Sequence, residues 1–70
     1  MSEIVFVVEE APEGGYTARA LGEPIFTEAE TMDELRRMVR DAVQCHFPDE
    51  KSRPVVIRLH SVKDEVLAAR

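Results

Sequence analysis

The sequence predicts an α+β domain of order β-β-β-α-β: a four-stranded, mostly antiparallel sheet with one helix packed on one face. Three observations carry this. Ile4-Val5-Phe6-Val7-Val8 is a β-branched and aromatic run bounded by glutamates, the composition of a buried strand. Ala11-Pro12-Glu13-Gly14-Gly15 and Gly22-Glu23-Pro24 punctuate the short segments that follow, as turns between neighbouring strands do. Thr31-Met32-Asp33-Glu34 then opens an amphipathic stretch that Pro48 ends, the start and stop of a helix.

The elements follow in order. Ile4–Val8 is apolar on both faces and so reads as a central strand. Tyr16 to Leu21, small and polar residues in alternation, reads as its hairpin partner. Ile25 to Ala29 is a short third strand whose acidic residues and neighbouring proline suit a sheet edge. In the helix, Thr31 accepts from the backbone of Glu34 and Glu34 reaches back to Thr31 in a capping box. Met32, Leu35, Met38, Val39, Ala42, Val43 and His46 recur at steps of three or four and define one apolar face. Val55 to His60 forms the last strand, with Val55, Ile57 and Leu59 on one side and Arg58 and His60 on the other. A helical crossover returns this strand beside the first, parallel to it if the crossover is right-handed. Residues 62–69 read as a short helical tail opened by Ser61-Val62-Lys63-Asp64, as a strand extension or as a frayed end.

Seventy residues make one domain, residues 1–70. A chain this short buries only about 60% of its unfolded surface, and domains below about 70–80 residues lean on disulfides, metals or oligomerisation. The single cysteine, Cys45, has no partner for an intramolecular disulfide. Self-association, as a homodimer or a higher even-numbered oligomer, is therefore the expected support. The sheet face without a helix, with Val5, Val7 and Val56, is the expected interface. The acidic N-terminus lacks a signal peptide's basic region and long apolar core, and no apolar run reaches membrane-spanning length. A cytoplasmic protein with no membrane contact is the expectation.

The net charge of −5 argues against generic nucleic-acid binding, which draws its affinity from Lys and Arg. Its distribution is uneven. Residues 9–34 hold eight acidic side chains against Arg19 alone, whereas residues 51–70 hold five basic against Asp64 and Glu65. Glu9, Glu10, Glu13, Glu28 and Glu30 form an acidic edge suited to a basic partner, or simply a solvated face.

Catalytic readings find little support. Cys45 and His46 are helix neighbours pointing about 100° apart, a poor metal pair, and His60 is far off in sequence. The thiol also sits at the helix C-terminal end, which does not stabilise a thiolate. The strand order resembles ribonuclease H-like nucleases, which converge three or four carboxylates on two metal ions. Here the central strand carries none, with Glu3 and Glu9 only at its ends. Gly14-Gly15 lacks the lysine and following helix of a phosphate loop. Arg36, Arg37 and Arg40 make a basic stripe that Asp33, Glu34 and Asp41 are spaced to neutralise. The expectation is no catalytic residue, no metal and no cofactor.

Glu13-Gly14-Gly15-Tyr16 with Ala18, followed by the helix start Thr31-Met32-Asp33-Glu34-Leu35, resembles the HicB antitoxin-like family, whose core is a partial ribonuclease H-like β-β-β-α-β domain. Leu21 to Phe26 and Ala29-Glu30 depart from the family pattern, which has a Pro-x-x-x-Gly-Cys-like segment and Gly-Asp there. The resemblance implies a non-enzymatic interaction module that blocks a small basic mRNA-cleaving toxin. Longer members add a DNA-binding domain; residues 60–70 are too few for one, so no DNA partner is expected. The alternative is a small ligand- or RNA-binding regulator on the same fold, and a nuclease is the third class.

Overall fold

In the computed structural model, which describes residues 2–69, the first strand, β1 (Glu3–Glu10), is the centre of the architecture. It pairs antiparallel with β2 (Tyr16–Ala20) and parallel with β4 (Val56–Val62), while β3 (Phe26–Ala29) pairs antiparallel with β2. The sheet order is β3-β2-β1-β4. The β-β-β-α-β order is as expected, with β3 at one edge and β4, parallel to β1, at the other. Strand ends differ slightly: β1 extends through Glu3 on one side and Glu9 and Glu10 on the other, β2 and β3 are one residue shorter, and β4 runs from Val56 on to Val62.

Alternation along β1 makes the core. Ile4, Phe6 and Val8 are buried under the helix, and Val5 and Val7 point to the uncovered face. The helix α1 (Met32–His46) contributes Leu35, Val39 and Val43 to the same core. Met32 and Ala42 pack at its margin, while Met38 and His46, expected on the apolar face, are exposed. Apart from Tyr16 at the start of β2, the helix-facing residues of β2 and β3 are small, namely Ala18, Ala20, Thr27 and Ala29. They allow α1 to settle over the β2–β3 half of the sheet. On β4 the corresponding residues, Ile57 and Leu59, are larger and stay only partly buried.

The helix start is capped as the sequence predicts on one side only. Thr31 Oγ1 accepts from the Glu34 N–H at 3.1 Å, but the Glu34 carboxylate accepts from the N–H of Glu30, at 3.1 Å, instead of from Thr31. This secures the residue before the cap and ties the end of β3 to the helix. At the other end the Phe47 N–H donates to Val43 O, and Arg53 donates from Nε to Phe47 O at 3.0 Å and from its terminal nitrogen to Pro48 O at 3.3 Å. One guanidinium thereby satisfies the carbonyl of the helix C-cap, which a helix end leaves orphaned, and that of the residue after it.

The C-terminal tail does not form the helix that one reading expected. Ser61 stands in the β4 ladder opposite Val8, so it is not free to cap. Residues 63–69 are exposed and without regular structure. A helix of so few residues, with nothing to pack against, does not repay its nucleation cost.

Two stability changes follow. Gly15 holds φ +85°, and a Cβ there would lie 2.9 Å from the Ala29 carbonyl oxygen, whereas Gly14 at φ +100° faces open space. Urea denaturation is expected to show Gly15→Ala costing about 2 kcal/mol or more and Gly14→Ala about 1 kcal/mol, the usual penalty for an L-residue in the left-handed region. Thr27 Oγ1 is buried with no hydrogen-bond partner among the described residues. Thr27→Val keeps the shape and removes that unpaired hydroxyl, so it is expected to raise stability by about 1 kcal/mol in the same assay.

Candidate functional site

Chain direction sets where the carboxylates gather. The end of β1, the β1–β2 turn, the end of β3 and the start of α1 all lie at one end of the sheet. Glu9, Glu10, Glu13, Glu28 and Glu30 therefore share that end, all of them exposed. Within it they divide. Glu9 and Glu28 flank Thr17 in one cross-strand row on the uncovered face. Glu10 has the opposite parity and projects toward the helix side, Glu13 sits in the turn, and Glu30 joins β3 to the helix cap. A shallow concavity of about 460 Å³ near Tyr16 is lined in part by Glu28, Glu30, Glu34 and Met38.

None of the five carboxylates has a side-chain hydrogen bond or ion pair among the described residues; the acids that are engaged are Asp33 with Arg36 at 2.7 Å and Glu3 with Arg58 at 2.6 Å, as ion pairs, and Glu23 with His46 at 2.9 Å, as a hydrogen bond. Lys63 lines a cleft with Glu9 and Glu10, yet acids outnumber bases at this end, and a cationic surface would relieve the repulsion among them. Asp33 and Glu34 belong to the same end, but their charges are engaged by Arg36 and by the helix cap.

Val5, Val7 and Val56, the expected oligomer residues, all lie on the uncovered face. Val5 is opposite Arg58, Val7 is opposite His60, and Val56 is opposite Glu3. Phe26, on the same face, is 60% exposed. This face is thus mixed, with apolar residues interrupted by Glu3, Arg19, Arg58 and His60.

Among the described residues no group of three or more His, Cys, Asp or Glu side chains is placed to hold a metal ion. Cys45 is exposed at the last turn of α1. His46 Nε2 meets Glu23 Oε1, and since an ionised carboxylate only accepts, that nitrogen carries the proton. The pair ties the β2–β3 turn to the helix end, away from His60 on β4. No helix among the described residues is long and apolar enough to cross a membrane.

Sequence reasoning missed a second feature. Beside the offset helix runs a groove of about 380 Å³, floored by Val39, Val55, Ile57 and Leu59 and rimmed by Arg36 and Arg40. The basic stripe is also less neutralised than its spacing implied. Arg36 alone of the stripe pairs with an acid, and Arg40 has no ion-pair partner among the described residues. The legible signal was Val55-Val56-Ile57 at the start of an edge strand, with more apolar surface than one helix covers.

The chain is similar to a UPF0150 protein of Archaeoglobus fulgidus, 57% identical over 51 residues that cover 73% of this chain and 74% of the relative. It is similar as well to a UPF0150 protein of Thermotoga maritima, 39% identical over 66 residues that cover 94% of this chain and 91% of the relative. No family model matches the chain, and no solved structure matches it significantly. The chain belongs to the UPF0150 family.

Proposed function

We propose that this member of the UPF0150 family is a non-enzymatic interaction module of the HicB antitoxin-like kind, which binds and neutralises a small basic partner such as an mRNA-cleaving toxin. The observation that supports the reading is the convergence of Glu9, Glu10, Glu13, Glu28 and Glu30, exposed and unpaired among the described residues, at one end of a rigid sheet. Strands and a tight turn fix the backbone beneath these carboxylates, so the cost of ordering them on binding is confined to their side chains. A protein that cleaves RNA must itself carry a cationic face. An anionic surface docked there neutralises it and occludes the substrate path at once. No chemistry is required of the module, only complementary charge and shape.

The resemblance and the charge pattern both favour a protein partner over a nucleic acid, whose phosphates this end repels. In the cell the complex would be made at the acidic end, leaving the C-terminal half of the helix and the far end of the sheet exposed.

Affinity purification of the tagged protein from its native cells is expected to bring down a small basic protein. The recombinant pair should show association that slows steeply with added salt. Glu9→Lys with Glu28→Lys is expected to weaken binding about tenfold or more at low salt, read by calorimetry, with circular dichroism unchanged. If RNA alone is recovered, or if the charge reversals leave affinity for a recovered protein untouched, the reading is wrong.

A further inference from the structure

The groove beside α1 and the tail beyond β4 have complementary chemistry. β4 is an edge strand, so one side of its backbone has no neighbouring strand. An unpaired edge is a template for an added strand. Above that edge, on the helix side, lie the apolar floor and the two arginines of the groove. On the other side of the sheet the same strand presents Val56, Arg58 and His60.

The tail carries the opposite pattern. Lys63-Asp64-Glu65-Val66-Leu67-Ala68-Ala69 leaves the body without regular structure, with Val66 93% and Leu67 77% exposed. The molecule measures 54 Å in its longest direction against 20 and 17 Å in the others. Two adjacent large apolar residues, preceded by two acids, thus stand in solvent. A strand alternates its side chains between faces. Setting Leu67 into the groove places Glu65 on the same side, toward Arg36 and Arg40. Val66 and Asp64 then fall on the other side, toward Val56 and Arg58.

Folding back onto its own β4 edge is disfavoured. A tight hairpin after Val62 would need positive φ at Lys63 or Asp64, where there is no glycine, and the chain shows positive φ at glycines only. A second copy meets no such obstacle. Exchange between two copies is closed when reciprocal, each tail occupying the other's groove around a two-fold axis.

We propose that residues 64–69 of one copy add as a strand to the free edge of β4 in a second copy, with Leu67 seated over Val39, Ile57 and Leu59 and Glu65 beside Arg40, in a reciprocal dimer. The groove lies apart from the acidic end, whereas the tail that fills it leaves β4 beside Glu9 and Glu10; self-association measured on the protein alone therefore tests the dimer without the proposed partner. It also differs from association through Val5, Val7 and Val56, which leaves the tails free.

Analytical ultracentrifugation of the full chain tests it. The native protein is expected to be dimeric at about 100 μM, well above a micromolar dissociation constant. Val66→Asp with Leu67→Asp alters only exposed tail residues and should give a monomer with an unchanged circular dichroism spectrum. Arg40→Glu should weaken the dimer by up to about thirtyfold, because the reciprocal dimer holds this exposed pair twice at about fivefold or less each, and adding Glu65→Arg to it should restore association. A native monomer at that concentration overturns the proposal and leaves the groove to another occupant. So does a tail variant that dimerises as tightly as the native chain, which would locate association on the sheet face. Failure of Glu65→Arg to rescue Arg40→Glu overturns it as well.

Discussion

The packing of α1 against the small residues of β2 and β3 is the constraint on which the rest of the structure depends. Ala18 and Ala20 are almost fully enclosed, and Leu35, Val39 and Val43 reach down beside them to Phe6. Helix and sheet approach as closely as the side chains between them permit. Alanines on one half of the sheet and branched residues on the other therefore place the helix off centre. From that offset come the sealed core under β1, the partly covered Ile57 and Leu59, and the groove along β4. The uncovered face is a separate consequence of having one helix for a sheet of two faces.

The parts legible in the sequence were those decided by neighbours along the chain. The Thr31 cap, the alternation of β1, the turn at Gly14-Gly15 and the stop at Pro48 each rest on local chemistry, and each appears where expected. The position of β4 beside β1 followed from connection rules and also appears. What could not be read was decided by volumes brought together across strands. The offset of α1 depends on comparing Ala18 with Leu59, residues distant in sequence that face the same helix. The guanidinium of Arg53 at the helix end and the Glu23–His46 tie are likewise products of tertiary placement. For the candidate site, the gathering of the glutamates at one end was implicit in the strand directions. Their division between two faces was not seen until the register was known.

The surface has two regions of opposite character. At the end where β1 and β3 finish, carboxylates stand without partners among the described residues. Along the flank formed by α1 and β4, arginines border apolar residues. A small domain cannot afford many unrelated exposed features, because each large apolar side chain left in water forgoes burial. Two separated surfaces of contrasting charge let one chain meet two different bodies without competition between them. They also disfavour indiscriminate stacking of copies, since the acidic ends repel one another.

The pairing of residues 3–9 with 56–62 has a further consequence, for the order of assembly. β1, β2, β3 and α1 follow one another by short connections and meet their neighbours as they emerge, whereas β4 must return across the whole of the preceding chain. Distant contacts form late, because the closure of a long loop precedes any reward. On a ribosome, β1 therefore waits with one edge bare until the last strand leaves the exit tunnel. The central strand of the finished protein spends its early life as an edge.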